Sequence, residues 1–247
     1  MISSRTLVPS LLAVTLACGG MSALADDYRG EVTLSGDRTE PDGNFPHIDQ
    51  VAAVGTYYLA PVRTDGLPLA EAAFLNRSSF VRGAAVRSEI GSEKIDIFSA
   101  SLGYYMPDTI FFGRLGVSYA DDFDGDQTNI NGSFGITPID GLLLFTNFDE
   151  HGWDPNVTAK YVGKMANSHY YSIVASAVDP DEGDTDVSLE FDYYLDNTFS
   201  VGAGYGSAGD TFSLRAQKFF TPSFAVGAHV NTGDDGDGFG ANVTWRF

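Results

Sequence analysis

Short segments in which apolar side chains alternate with small or polar ones recur along this chain, each closed by Gly, Asp, Asn or Pro. In the clearest one, Phe111, Leu115 and Val117 share one face, and Arg114 and Ser118 share the other. A period of two is typical of strands whose two faces meet different surroundings. The pattern predicts an all-β protein.

We expect about fourteen such strands, with twelve or sixteen as the alternatives, which is within the range of membrane barrels. The predicted strands are 27–36, 48–60, 78–87, 94–105, 109–120, 127–137, 142–149, 155–165, 168–178, 186–195, 198–206, 210–220, 223–233 and 237–247.

A soluble β-sandwich would show the same alternation, so the connectors must distinguish the two folds. Counted in order, odd connectors such as 37–47 and 179–185 are long and acidic, whereas even ones such as 106–108 and 196–197 are tight. Aromatic residues gather at the strand ends beside the even connectors. Both features indicate a transmembrane antiparallel up-and-down β-barrel, with the N- and C-termini on the periplasmic side.

The N-terminal residues predict export. Arg5 precedes an apolar run over 7–17, and Ala23-Leu24-Ala25 follows as a cleavage site, which indicates a signal peptide over residues 1–25 and a barrel over 26–247. A retained anchor and an acylated Cys18 are the alternatives. No later apolar run is long enough for a transmembrane helix, so the destination is the outer membrane or, for a soluble protein, the periplasm or the exterior.

Composition limits the partners. The chain of 247 residues has 14 Lys and Arg against 33 Asp and Glu, giving a net charge of −19. We expect no nucleic acid partner, because phosphate binding requires clustered basic residues. Aromatic residues make up 13% of the chain, too many for a disordered acidic protein. Because much of the acid lies in connectors, the inner face of the barrel is expected to be slightly basic.

The connector 61–77 is an exception to the rule of tight even turns. Residues 67–75 have a helical composition, with Pro68 suited to the first helical position. The segment either forms a short helix in the periplasmic connector, the alternative we favour, or folds into the lumen and narrows it.

Alternation also predicts which side chains line a pore. The expected inward residues are Arg29, Glu31, Arg114, Lys160, Lys164, Glu190, Asp192, Arg215, His229 and Arg246. Of these, Arg114, Lys160, Arg215, Glu190 and Asp192 are expected to form the constriction, where opposed charges would order water and favour polar solutes. Arg82 and Arg87 conflict in parity, which predicts a bulge in strand 78–87.

Two sequence features resemble known proteins. The C-terminal strand with Trp245 and Phe247 resembles the assembly signal of outer-membrane barrels, and residues 68–77 look like a stretch of the family described as putative general bacterial porin. The resemblance implies a channel and carries over no catalytic residue. It also implies that the barrel-assembly machinery recognises the C-terminal strand.

The expected function is an outer-membrane porin, a water-filled channel for passive diffusion of small hydrophilic solutes and ions. The expected partners are outer-membrane lipids and the solutes, the oligomer is a monomer or homotrimer, and no cofactor, metal or enzymatic step is expected. Three alternatives remain: a solute-specific channel for acidic oligosaccharides, a barrel hydrolase with a Ser-His pair at its rim, and a plugged structural barrel. His229 has Ser213 or Arg215 on the preceding strand but no evident acid to orient it.

Overall fold

The structure is a computed structural model that describes residues 27–43, 45–122, 125–150, 156–166, 169–179 and 185–247. The predicted signal peptide and its cleavage site lie outside the described residues. Within them, no helix is long and apolar enough to span a membrane.

The alternating segments fold as strands, and the predicted number of fourteen is confirmed. The strands are β1 (Tyr28–Pro41), β2 (Ile48–Val62), β3 (Phe80–Ile90), β4 (Glu93–Tyr105), β5 (Phe111–Asp122), β6 (Gly125–Ile136), β7 (Leu142–Asp149), β8 (Asn156–Lys164), β9 (Tyr170–Val178), β10 (Asp186–Asp196), β11 (Phe199–Gly206), β12 (Thr211–Thr221), β13 (Phe224–Gly233) and β14 (Gly236–Arg246). A 3-10 turn, Leu69–Glu71, leads into the single-turn helix α1 (Ala72–Leu75), and a second 3-10 turn spans Ala208–Asp210.

The strands form one closed antiparallel barrel in which each pairs with its neighbours in sequence and β1 pairs with β14. The seam between them runs in one register from Glu31 opposite Arg246 to Pro41 opposite Gly236. Closure satisfies the backbone groups that an open sheet would leave at its edges, which is what a bilayer demands of a spanning sheet. The predicted up-and-down barrel is confirmed.

Alternate residues divide between two faces of the wall. Large apolar side chains on the outer face are exposed, for example Leu115 and Leu214 at 63% each. On the opposite face of the same strands lie Arg114, Ser213 and Arg215. A continuous apolar exterior of this kind suits lipid rather than water.

The odd connectors are shorter than predicted, because several hairpins continue as strands beyond the expected ends. The predicted connector 88–93 reduces to a turn at Gly91 and Ser92. A bidentate pair between Arg87 and Asp96, at 2.7 and 2.8 Å, bridges the two strands of this extension on its outer face. Cross-strand ion pairs of this type favour continued pairing over a loop.

The predicted bulge in strand 78–87 is wrong. β3 keeps one register with both β2 and β4 along its length. The parity conflict has a simpler resolution: Arg82 faces inward, and Arg87 faces outward near the rim, where Asp96 pairs with it. An outward arginine is acceptable there because it lies toward the end of the strand and has a carboxylate partner.

Candidate functional site

The connector between β2 and β3 enters the barrel. Its residues 67–75, here called the inner segment, pack against side chains of the inner face. Leu69 contacts Phe219, and Ala72 contacts Tyr58. Further contacts come from β1, β8, β9, β10 and β13, so the segment reaches much of the circumference. The favoured periplasmic helix is therefore wrong, because these apolar side chains find a buried aromatic lining inside the barrel; entry into the lumen is the correct alternative.

One polar anchor of the inner segment is Glu71, which is buried at 6% exposure. Its Oε1 accepts a hydrogen bond from the Tyr194 hydroxyl at 2.9 Å, and its Oε2 lies 2.7 Å from Lys160 Nζ. The same ammonium group lies 4.7 Å from the centroid of the Phe74 ring. A buried carboxylate needs such partners to offset its lost hydration, so this pairing fixes the segment to β8 and β10.

A second anchor is Arg246 on β14, which is 7% exposed. Its Nε donates to Glu31 Oε2 at 2.7 Å, and its Nη1 donates to the Leu69 carbonyl oxygen at 2.9 Å. The guanidinium carbon lies 4.4 Å from the ring centroids of both Tyr28 and Phe219. Arg246 thus joins the barrel seam to the inner segment through hydrogen bonds and two cation–π contacts.

The inner segment occupies a large part of the cross-section. Fourteen strands spaced about 4.8 Å apart and tilted by about 40° give a circumference of roughly 88 Å and a backbone diameter of roughly 28 Å. A helix with its side chains is about 10–12 Å wide. Beside the segment lies a cavity of about 460 Å³, lined in part by Glu71, Asp192, Arg215 and His229.

A cluster of three charges lies on the wall formed by β10, β11 and β12. Arg215 makes a bidentate pair with Asp192 at 2.7 and 2.8 Å, and its Nη1 lies 2.8 Å from Glu190 Oε2. Gly202 stands between Asp192 and Arg215 in the register, and a Cβ there would collide with the Asp192 carboxylate. The glycine therefore allows the ion pair to pass over β11.

His229 has an acidic partner that sequence analysis missed. Its Nε2 lies 3.1 Å from Asp37 Oδ1, across Gly240 on the intervening strand β14. The two residues lie on β13 and β1, which meet only through the barrel seam. The alternation predicts that each faces inward, but the pairing depends on the register across β14.

The inward cations of β3 and β5 are arranged differently. Arg82 Nε donates to Thr56 Oγ1 at 3.2 Å, and Arg114 Nε is buried without a hydrogen-bond partner among the described residues. Neither arginine has an ion-pair partner within the described ranges. Arg82 was not among the predicted inward residues because of its conflict with Arg87.

The other predicted residues lie near the barrel ends. Arg29 is exposed at an irregularity in β1, where its amide and that of Gly30 both donate to the Phe247 carbonyl oxygen. Lys164 is exposed at the end of β8, with Nζ 5.4 Å from the centroid of a tyrosine ring on β9. Trp245 lies on the outer face and is 51% exposed.

A closed fourteen-stranded antiparallel barrel with an apolar exterior and a charged interior is the architecture of outer-membrane channels. The family model described as putative general bacterial porin matches residues 5–138 and 103–247. The chain belongs to this family, and it is an outer-membrane porin channel.

Solved structures show the same fold. The outer membrane protein Omp33 of Acinetobacter baumannii is 22% identical, with 90% of this chain and 99% of that chain covered and a TM-score of 0.74. The KdgM porin is 10% identical, covering 87% and 99%, with a TM-score of 0.44. A mutant of the Rh. blastica porin is 9% identical, covering 89% and 99%, with a TM-score of 0.48. The search of curated proteins gives no match.

Proposed function

We propose that the barrel is a narrow channel for passive diffusion of small hydrophilic solutes and ions, with no catalytic step. The observation that carries this proposal is the inner segment, which leaves a polar cavity of about 460 Å³ beside it rather than filling the barrel. The porin family and fold make a channel the expected role, and the narrowing favours small solutes over oligomers.

The water path is proposed to pass between two differently charged walls. In a closed barrel of fourteen strands, strands seven apart face each other, so β5 faces β12 and β3 faces β10. Arg114 then lies on one wall, and the cluster of Arg215, Glu190 and Asp192 lies on the other. Lys160, bound to the inner segment, completes the predicted constriction set. Charges placed in this way act on water and ions at close range.

Conductance in a planar lipid bilayer tests the channel directly. Purified full-length protein should produce discrete current steps in KCl, and steps should be absent with detergent alone. If the folded barrel inserts but passes no current, the passive-diffusion proposal is wrong, and a plugged structural barrel replaces it.

The charge arrangement predicts a change in ion selectivity. Replacing Arg114, Lys160 and Arg215 together with Gln should shift the reversal potential in a KCl gradient toward cation selectivity. The reason is that the substitutions remove three positive charges and also leave the carboxylates of Glu71 and the β10 pair without their counter-ions. A Lys94→Gln variant is the matched control, because Lys94 is exposed near the rim beside Glu89. An unchanged reversal potential in the triple variant would contradict the assignment of these residues to the water path.

We also propose a membrane orientation and a mature N-terminus. Cleavage after Ala25 places Asp26 first in the mature protein, and mass spectrometry of the outer-membrane protein should find that terminus. The acidic hairpins are placed outside and both termini in the periplasm, so an epitope after Asp234 should be accessible to antibody on whole cells and a C-terminal epitope should not. Recognition of β14 by the barrel-assembly machinery belongs to the same proposal, and native mass spectrometry separates the monomer from the homotrimer.

A further inference from the structure

The inner wall formed by β3, β4 and β5 carries two guanidinium groups that no described carboxylate neutralises. Arg82 makes one neutral hydrogen bond, to Thr56, and its guanidinium carbon lies 5.1 Å from the centroid of the Phe80 ring. Arg114 Nε is buried and without a hydrogen-bond partner in the described part of the chain. Buried donors without partners are rare in folded proteins and call for an explanation.

The rest of the interior does not leave its strongest cations unpaired. Lys160, Arg215 and Arg246 each have a nitrogen within 2.8 Å of a carboxylate oxygen. The β3–β5 wall therefore differs from the opposite wall in a specific respect: its positive charge remains available. Desolvated, unpaired charge is costly, and binding of an anion would offset that cost.

The strand register brings the two arginines to one place on the wall. Arg82 is level with Ser101 and Gly116 on the next two strands, and Arg114 is level with Gly103 one inward position away. With strands about 4.8 Å apart and about 3.4 Å per residue, the Cα atoms of the two arginines are roughly 12 Å apart. Two arginine side chains can converge from this separation on one small anion, or bind the two ends of a slightly longer one.

The surface between the arginines is low and polar. A Cβ added to Gly116 would lie 2.9 Å from Asn131 Oδ1 and 3.2 Å from Ser101 Cβ, so these two side chains converge over the glycine. Glycine at positions 103 and 116 keeps bulky side chains away from the space between the two guanidinium groups. The serine hydroxyl and the asparagine amide add neutral hydrogen-bond donors.

We propose that Arg82 and Arg114 form an anion-binding subsite on this wall, for small solutes that carry carboxylate or phosphate groups. Guanidinium groups match both oxyanions because they offer parallel N–H donors in a fixed plane. On the facing wall, Glu190 and Asp192 repel anions except where Arg215 screens them, which directs an anion toward the β3–β5 wall. The inference rests on the proposed channel, because it names the class of solute that the channel would retain briefly during passage.

Isothermal titration calorimetry on the refolded full-length protein in detergent tests the subsite without requiring conductance. The probes are inorganic phosphate and succinate, each titrated at low ionic strength. We expect saturable binding, weakened by about tenfold or more in the Arg82→Gln/Arg114→Gln double variant, which is the fold-change typical of losing a charged hydrogen bond. The matched control is Arg87→Gln, since Arg87 lies on the same strand but on the outer face.

The outcomes separate the subsite from the channel. Binding of phosphate alone or succinate alone supports the subsite and identifies its preferred oxyanion. Absence of binding by the wild-type protein, or equal affinity in the double variant, overturns it. Wild-type protein that binds the anions but passes no current refutes the proposed channel and leaves the subsite standing; current without anion binding does the reverse. The Gly116→Leu variant provides a second test, since it fills the surface between the arginines while keeping both charges, and it should also abolish binding.

Discussion

Replacing the inner segment, residues 67–75, with a short Gly-Ser linker is expected to raise single-channel conductance by roughly twofold or more, since a helix about 10–12 Å wide would be removed from the lumen. The barrel itself should survive, because β2 and β3 remain neighbours: the Leu59 amide donates to the Ser79 carbonyl oxygen at 2.9 Å beside the connector. The measurement is conductance in a planar bilayer, together with the heat-dependent gel mobility that reports a folded barrel.

A Gly-Ser insertion between Gly91 and Ser92, in the turn between β3 and β4, serves as the matched control. It changes a connector of similar exposure at the opposite end of the barrel and should leave conductance near the wild-type value. Equal conductance in the two variants and the wild type would mean that the inner segment does not set the narrowest point. A Glu71→Gln substitution should give a smaller increase, because it weakens the contact with Lys160 while preserving the packing of the segment.

The second large effect is on stability. Arg246→Ala should lower the free energy of unfolding by about 3–5 kcal/mol, the range typical of breaking a buried ion pair and leaving its partner charge uncompensated. Here the residue left behind is Glu31, and the variant also loses contacts with two aromatic rings and the Leu69 carbonyl oxygen. Reversible urea unfolding in lipid vesicles, followed by tryptophan fluorescence, measures the difference.

Arg38→Ala is the appropriate comparison, because Arg38 also makes a bidentate pair, with Asp49, but both side chains are about 40% exposed at 42% and 39%. Exposed pairs contribute about 0–1 kcal/mol. Arg246→Lys should fall between the two alanine variants, since an ammonium group keeps the charge but loses the planar stacking. A cost for Arg246→Ala no greater than that for Arg38→Ala would remove Arg246 as an anchor.

The barrel could be predicted because each strand carries its own signal. Alternation between the faces of a strand is a local property, and the fourteen predicted strands overlap the fourteen observed ones. The strand ends were less accurate near the odd connectors, where ion pairs such as Arg87 with Asp96 extend the hairpins. Those pairs depend on register, which the sequence specifies only indirectly.

The position of the inner segment could have been predicted from a signal that was given another meaning. Pairs of adjacent aromatic residues, such as Tyr57-Tyr58 and Phe219-Phe220, occur at strand ends beside the even connectors, and all were assigned to a lipid-facing girdle. Neighbours on a strand point to opposite faces, so one ring of each pair must face inward. In the structure Tyr57 and Phe220 are exposed, and Tyr58 and Phe219 are buried against the inner segment. Inward rings indicate that something apolar covers them.

Pairings across the interior could not be predicted in the same way. His229 with Asp37, and Glu71 with Lys160, join strands or segments far apart in sequence, and each depends on side chains reaching across a glycine or into the lumen. The alternation predicts that a strand residue faces inward but does not identify its partner. Glu71 was missed altogether because its segment was expected outside the barrel.

The contacts of the inner segment also bear on the order in which the barrel forms. Glu71 and Leu69 precede their partners Tyr194 and Arg246 by 123 and 177 positions in the chain. Contacts of such long range are slow to form, because the intervening chain must first be ordered. The segment can be fixed only after β10 is in place and β14 has joined β1. A barrel still missing its last strands would therefore be a wide, leaky intermediate, and closing the seam is the event that also narrows the pore.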